Sequence, residues 1–256
     1  MKMKENESHL AKVNDFRRLV TMYKWILPTS EGESNCPFPE LVKANPVLYA
    51  TIWYQFKDSD IPDDLMFADI KLKPEKGNAL DIAAFDQLKK IQDNIDEFVE
   101  KGLNLFIGGR VTGTGKTSWG IKLLKQYIYN NPDYINPTVV YVSVPEFTNK
   151  IKRVKETYDN ELRQSFDVYV NKLKNCDLLL FDDIGFKPFD EYTQEIMYNI
   201  TNYRANCKQY SSTIYTSNKM GEDLLDIVGG DLLYSRIYTN CRFKVSLEGH
   251  DRRGDK

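Results

Sequence analysis

The segment FIGGRVTGTGKTSW, residues 106–119, constrains the fold of this chain more than any other. A glycine-rich turn between an apolar strand and a helix is typical of α/β domains that bind phosphate, because successive backbone N–H groups and the helix N-terminus form a concave anion site. The usual pattern, G-x-x-x-x-G-K-[ST], would place its first glycine at position 110. This chain has Arg110 there, and the nearest glycine, Gly109, is one residue early.

The part of this loop that would curve around a phosphate is complete, so we interpret it as a working loop with one additional residue. Gly113 and Gly115 let the backbone approach a ligand closely. Lys116 would reach the β- and γ-phosphates, and the Thr117 hydroxyl would bind Mg²⁺. The alternative is a glycine turn that arose by chance, and the strand and helix predicted on either side argue against it. The predicted nucleotide-binding residues are Gly113, Thr114, Gly115, Lys116, Thr117 and Ser118.

From residue 103 onward, short apolar runs alternate with longer amphipathic segments. Strands that are apolar on both faces and are separated by helical crossovers indicate a mostly parallel sheet that helices cover on both sides. The sequence therefore predicts an α/β fold. The predicted strands are residues 103–107, 138–144, 177–181, 212–217 and 242–247.

Composition excludes several classes of protein. The net charge of −2 gives no overall attraction to nucleic acid, so a DNA contact would need a local basic patch. The four cysteines include no C-x-x-C pair, and with only two histidines they predict reduced thiols and no zinc site. The polar N-terminus and the lack of a long apolar run predict a cytoplasmic protein without a membrane contact.

The segment DLLLFDDIG, residues 177–185, is an apolar strand that ends in two carboxylates. Asp182 suits water-mediated binding of Mg²⁺ opposite Thr117, and Asp183 is placed to polarise an attacking water. Acidic residues at a strand end are by themselves a weak signal, since many are only solvated. Together with the upstream loop they predict a nucleoside triphosphatase.

Two further residues are candidates for the reaction. Asn218 ends the strand TIYTSN, where a polar side chain would orient the water and contact the γ-phosphate; the alternative is an asparagine that only closes the strand. Arg236, in LLYSRIY, lies on a predicted helix beyond the nucleotide-facing core. There it would stabilise charge on a neighbouring subunit's γ-phosphate, and the alternative is a surface salt bridge.

A charged helical stretch is predicted between Pro145 and Lys174. Cations at its start, beside the rings of Phe147 and Tyr158, could follow a phosphate backbone and stack on a base. The alternative is a solvated helix face, because three acidic residues dilute the charge. The candidate DNA-binding residues are Lys150, Lys152, Arg153 and Lys155.

These motifs, in this order, resemble the AAA+ helicase loaders of the DnaC and DnaI type, which are related to the replication initiator DnaA. The resemblance covers residues 61–253. It implies ATP and Mg²⁺ binding, weak hydrolysis, a homo-oligomer in the ATP-bound form around single-stranded DNA, and delivery of a DnaB-type replicative helicase. The segments that carry it are IPDDLMFAD, VYVSVPEF, LLLFDDIG, ITNYRANCKQYSSTIYTSN, YSRIY and LEGHDRR.

The resemblance also implies roles for residues that match the family motifs. Asp182 and Asp183 become the acidic pair, and Asn218 becomes sensor 1. Arg236 becomes the arginine finger, and Arg204 is expected at the subunit interface.

The resemblance divides the chain into a helical N-terminal extension, residues 1–60, and an AAA+ ATPase domain, residues 61–256. The extension lacks the clustered cysteines of loaders that have a zinc-binding N-terminal domain. Its helical segment is therefore left as the candidate helicase-binding region. Its apolar face between Leu10 and Leu27 would pack on the chain's own core or bind a partner. A compact loader of this kind would suit a phage or mobile element. Two other functions remain open: a transposition-accessory ATPase similar to IstB, and a non-enzymatic adaptor that binds ATP to hold a conformation.

Overall fold

The computed structural model describes residues 46–66, 68–131, 139–207 and 209–254. The chain divides into two compact units, Met1–Tyr54 and Gln55–Lys256. Most of the predicted N-terminal extension, including its apolar helical face, lies outside the described residues. The predicted limits of the two functional domains therefore stay a prediction.

From residue 105 onward, the described part of the chain alternates strands and helices, as the apolar pattern predicts. The elements in chain order are α1 (Pro46–Asp58), α2 (Asp63–Met66), α3 (Ala79–Asp93), α4 (Ile95–Glu100), β1 (Leu105–Gly108), α5 (Lys116–Asn130), β2 (Val139–Ser143), α6 (Val144–Glu156), α7 (Asn160–Asn175), β3 (Leu178–Ile184), α8 (Glu191–Asn206), β4 (Ser212–Ser217), α9 (Glu222–Val228), α10 (Asp231–Tyr234), a π-helix (Ser235–Thr239), β5 (Phe243–Ser246) and a 3₁₀ turn (Arg252–Gly254).

The five strands form one parallel sheet in the order β2-β3-β4-β1-β5. In its centre, Ile214 of β4 lies between Leu105 of β1 and Leu180 of β3. All three side chains are buried, as expected for a sheet with both faces covered. This confirms the predicted α/β fold. The carboxyl ends of β1, β3 and β4 meet at one edge, which is where ligands bind in open sheets of this kind.

The acidic strand is longer than the sequence predicts. β3 continues past Phe181 to Ile184, because Asp182 stays in register with Ser143 of β2 and is buried. A register shift between β3 and β4 then falls between Phe181 and Ile184. Asp183 therefore lies at an irregularity of the sheet, while Asp182 belongs to the regular ladder.

Arg204 is a structural residue, and its predicted place at a subunit interface is wrong. Its side chain is 2 % exposed. The guanidinium donates to the carbonyl oxygens of Leu173 at 2.9 Å, Cys176 at 2.7 Å and Ser212 at 2.6 Å, and Nε donates to the Thr213 hydroxyl at 2.9 Å. A buried cation that satisfies its donors within the subunit stabilises the junction of α7, α8 and β4, and it cannot reach a neighbour.

Among the residues that the structure describes, no helix combines the length and the apolar character that crossing a membrane requires.

Candidate nucleotide-binding site

The loop between β1 and α5 turns where the additional residue falls. Gly109 has a φ of 145°, and a Cβ there would lie 2.4 Å from the Leu247 carbonyl oxygen. Only glycine allows this approach. The turn that follows β1 therefore lies at Gly109, one residue before the position of the first glycine in the usual motif. Gly113, with a φ of 73°, makes the second turn, and α5 begins at Lys116. Loop and helix N-terminus thus have the arrangement that binds phosphate.

Lys116 lies inside this loop. Its Nζ donates to the carbonyl oxygens of Gly109 at 2.9 Å and Val111 at 2.7 Å, and it lies 3.3 Å from the Thr114 hydroxyl. Burial lowers the pKa of Lys116 from 10.5 to about 8, and the nearby charge of Asp183 opposes this shift. The ammonium therefore has weak acceptors that the oxygens of a phosphate group would replace.

Asp182 is held by three hydroxyl groups. Its Oδ1 accepts a hydrogen bond from the Thr216 hydroxyl at 2.6 Å, and its Oδ2 accepts one from the Tyr141 hydroxyl at 3.1 Å. The Thr117 hydroxyl is also hydrogen-bonded to the Asp182 carboxylate. Burial raises the pKa of Asp182, and these hydrogen bonds act in the opposite direction. Tyr141 and Thr216 are neighbours of Asp182 in the site that were not predicted from the sequence. Thr216 stands two residues before Asn218, but nothing local marks Tyr141, which lies on a different strand.

Thr117 and Asp182 together fit a hydrated Mg²⁺ ion. Both present oxygen atoms, which Mg²⁺ prefers, and they lie next to the loop that would hold the phosphates. Within the described ranges no group of three or more His, Cys, Asp or Glu side chains could hold a metal ion. This agrees with the usual way of binding Mg²⁺, through one or two protein groups with water and phosphate completing the shell.

Asp183 and Asn218 lie side by side at the ends of their strands. Asp183 has a φ of 60°, a left-handed conformation that is uncommon outside glycine, asparagine and aspartate, and its N–H donates to the Thr216 hydroxyl at 2.8 Å. Asn218 Nδ2 lies 3.4 Å from Asp183 Oδ1, whereas its own Oδ1 is buried without a hydrogen-bond partner in the described part of the chain. An uncommon backbone conformation and a buried polar atom without a partner together are typical of a binding site.

These residues surround one cavity of about 350 Å³. Of the predicted nucleotide-binding residues, Thr114 does not line it, because its side chain is buried inside the loop. Two arginines of the C-terminal segment, Arg252 and Arg253, line the cavity although no role was predicted for them. The predicted residues that the structure brings together are Gly113, Gly115, Lys116, Thr117, Ser118, Asp182, Asp183 and Asn218.

Arg236 lies on the π-helix, away from this cavity. It is half-buried and forms no hydrogen bond or ion pair with any other described residue. Among the described residues, Arg236 therefore has no acidic partner for the alternative role of a surface salt bridge. A role in a neighbouring subunit stays a prediction.

The four basic residues of α6 do not form one patch. The apolar face of α6 is buried, and Lys150 and Lys155 lie on its two sides, 4.2 Å from the Tyr169 ring and 5.5 Å from the Tyr192 ring. Lys152 and Arg153 are exposed on the outer face. Phe147 cannot stack on a base as predicted, because it is buried against Phe166. Tyr158 is 95 % exposed.

The fold is that of known helicase loaders. A crystal structure of DnaI superposes with a TM-score of 0.55 and 19% sequence identity, and it covers 76% of this chain and 95% of its own. A crystal structure of the DnaC helicase loader gives a TM-score of 0.53 at 19% identity, with coverage of 72% and 99%. The predicted AAA+ fold and the resemblance to DnaC and DnaI are confirmed at the level of the fold.

The sequence comparisons point to the initiator relatives of these loaders. The chromosomal replication initiator protein DnaA of Aliarcobacter butzleri (strain RM4018) is 31% identical over 145 residues, which are 57% of this chain and 30% of that protein. The chain thus spans less than a third of the length of this relative. The family model described as the bacterial DnaA ATPase domain matches residues 79–237, more than half of the sequence, and the chain therefore belongs to that family.

Proposed function

We propose that this protein is an ATP-dependent loader that delivers a DnaB-type hexameric replicative helicase onto single-stranded DNA in the cytoplasm. The ATPase activity in this proposal rests on one observation: Lys116, Asp183 and Asn218 line the same cavity. Membership of the DnaA ATPase family and a fold shared with DnaC and DnaI support the replication part.

In this proposal the loop binds the phosphates of ATP through its N–H groups and through Lys116. Thr117 and Asp182 hold Mg²⁺, which offsets the charge of the phosphates. Asp182 suits this fixed role, because both of its oxygens already accept hydrogen bonds that orient them.

Asp183 suits the other role, that of a general base. Among the described residues its side chain has one long hydrogen-bond contact, the 3.4 Å approach of Asn218, so an oxygen remains able to accept a proton from water. Asn218 can hold that water with its unpaired Oδ1. Hydrolysis by this chain alone is proposed to be weak, since the cation that would complete the site, Arg236, lies outside the cavity of its own subunit.

Contact with single-stranded DNA is proposed for the outer side of α6 and the turn that follows it. Lys152 and Arg153 are exposed cations there, and Tyr158 offers an exposed ring. Such a surface binds a strand through its phosphates and bases without reading sequence. The assembly that would arrange these surfaces around DNA is an ATP-bound homo-oligomer.

The test is transfer of a purified replicative helicase onto circular single-stranded DNA coated with binding protein. We expect loading by the wild type with ATP and none by Lys116→Ala, which lacks the cation that binds the phosphates. A parallel pull-down offers the helicase and a transposase as competing partners. Capture of the transposase alone would favour the transposition-accessory function and contradict helicase loading. Loading that is as efficient with a non-hydrolysable ATP analogue as with ATP would favour the adaptor, which binds ATP without hydrolysing it.

A further inference from the structure

The Asp182 carboxylate is held from the edge strand of the sheet as well as from its centre. Asp182 pairs with Ser143 of β2, and Tyr141 stands two residues before Ser143, so the side chains of Tyr141 and Asp182 lie on the same face of the sheet. The Tyr141 hydroxyl donates to Asp182 Oδ2 at 3.1 Å, and the Thr216 hydroxyl of β4 donates to Oδ1 at 2.6 Å. The orientation of the carboxylate therefore depends on both strands that flank β3.

Tyr141 is itself attached to the turn between α1 and α2. Its backbone N–H donates to the Ser59 carbonyl at 2.7 Å, so this turn covers the edge of the sheet beside Tyr141. Ser59 is 0% exposed, and its hydroxyl donates to the Phe56 carbonyl at 2.6 Å and accepts from the Ile61 N–H at 3.4 Å. A buried residue with these contacts has a fixed place, and Tyr141 is fixed with it.

The shape of the turn depends on Asp60. This residue has a φ of 59°, a left-handed conformation that is uncommon outside glycine, asparagine and aspartate. Its carboxylate lies 3.5 Å from Lys172 Nζ on α7. Asp60 and Tyr141 line a second cavity of about 540 Å³, whereas Asp182 lines the nucleotide cavity. Tyr141 thus joins the turn on one side to the acidic strand on the other.

We propose that Tyr141 is a positioning residue for Mg²⁺ binding at Asp182, and that the turn at residues 59–61 holds Tyr141 where it acts. This rests on the proposed function of the nucleotide cavity as an ATP site. A partner that orients a metal-binding carboxylate typically contributes about 10- to 100-fold to metal affinity. Tyr141 does not line the nucleotide cavity, so its effect on ATP binding should appear only when Mg²⁺ is present.

The test compares Tyr141→Phe with Tyr127→Phe. Both changes remove a hydroxyl group that donates to an aspartate, since Tyr127 donates to Asp177 at 3.3 Å, and the Tyr127 pair lies outside the nucleotide cavity. ATP affinity is measured by titration calorimetry with excess Mg²⁺ and with a chelator. We expect Tyr141→Phe to bind ATP about tenfold more weakly with Mg²⁺, the lower end of such effects, and to match the wild type without it. Tyr127→Phe should match the wild type in both conditions.

A double variant shows whether Tyr141 acts through Asp182. Asp182→Ala removes the carboxylate, so Tyr141 has nothing left to orient. In that background we expect Tyr141→Phe to change the affinity with Mg²⁺ by less than about twofold, because two residues that act through one contact are not additive. A full tenfold loss in this background would show that Tyr141 does not act through Asp182, and would overturn its positioning role.

The turn is tested with Asp60→Gly and Asp60→Val. Both variants lose the carboxylate, but glycine adopts the left-handed conformation readily and a β-branched valine does not. A turn that holds Tyr141 predicts weaker ATP binding with Mg²⁺ in Asp60→Val and wild-type binding in Asp60→Gly. Equal affinities of these two variants would contradict the role of the turn.

Three results would overturn the assignment of Tyr141. They are wild-type affinity of Tyr141→Phe with Mg²⁺, an equal loss with and without Mg²⁺, and the same loss in Tyr127→Phe. Failure of the wild type to bind ATP with Mg²⁺ would instead overturn the proposed function.

Discussion

At the scale of single residues, Lys116 carries a prediction about pH. The pKa of Lys116 is lowered to about 8 by burial, so its ammonium loses the proton in the free protein as the pH rises through about 8. Binding a triphosphate then requires that proton to be taken up again. We expect the affinity for ATP to fall by up to about tenfold per pH unit above pH 8, since the terminal phosphate is already ionised there.

Calorimetric titration with ATP and with adenosine across this range measures the effect. Adenosine serves as the control, because it has no phosphate and its affinity should change little. An ATP affinity that stays constant from about pH 7 to about pH 9.5 would contradict the titration of Lys116 in this range.

The acidic pair gives the second prediction. Asp183→Asn should bind ATP and Mg²⁺ normally and lose about 10² to 10⁴ in hydrolysis rate, because an amide does not accept the proton of the attacking water. Asp182→Asn should instead raise the Mg²⁺ concentration needed for half-maximal activity. Phosphate release measured over a Mg²⁺ titration separates the two variants. Identical behaviour in binding and turnover would show that the two carboxylates share one role.

What could be predicted for single residues depended on distance along the chain. The loop residues and the acidic pair are local patterns, and the structure brings them together. Arg252 could not be assigned, because its partner Asp81 is 171 positions away and only the fold joins them. Phe147 could have been recognised as core, since Phe147, Ile151 and Val154 follow a helical spacing that marks a buried face.

At the scale of elements, strands were easier to predict than helix breaks. The predicted and observed strands agree in number and order along the chain, because apolar runs bounded by turns are a strong signal. The charged stretch predicted as helical is in fact two helices, α6 and α7. The break is marked by Asp159, whose Oδ1 accepts from the N–H groups of Glu161 at 2.8 Å and Leu162 at 3.3 Å. An aspartate directly before a helix is a start signal that can be recognised in the sequence alone.

This cap carries the third prediction. Asp159→Ala should lower the free energy of unfolding by about 1 kcal/mol, the usual cost of losing an N-cap. Asp167→Ala is the matched control, since Asp167 is an exposed acid in the interior of the same helix. Urea unfolding followed by circular dichroism measures both. Equal stability of the two variants would mean that Asp159 does not determine where α7 begins.

At the scale of the whole molecule, the position of Arg236 predicts how subunits cooperate. A residue that lies outside its own cavity and has no described partner can complete the site of a neighbour. Arginine fingers supplied in trans contribute about 10³ to 10⁵ in rate in GTPases. We expect Arg236→Ala to keep its ATP affinity and to lose hydrolysis that depends on protein concentration or on DNA.

Mixing Arg236→Ala with Lys116→Ala is the stricter measurement. The first variant keeps an intact loop, and the second keeps the arginine, so hydrolysis should partly recover in mixed assemblies. Arg242→Ala mixed with Lys116→Ala controls for the loss of positive charge. No recovery, with both proteins folded and associated, would remove the argument for catalysis across an interface.

The left-handed backbone of Asp183 limits which residues this position can hold. At a φ of 60° a β-branched or bulky side chain clashes with its own backbone, whereas glycine, asparagine and aspartate are tolerated. In a library of all substitutions at position 183, we expect these three residues to give the most stable proteins, since the left-handed conformation costs other side chains about 1 to 2 kcal/mol. Of the three, only aspartate carries a carboxylate. The backbone geometry thus favours three residues at position 183, and the need for a carboxylate in the reaction then selects one of them.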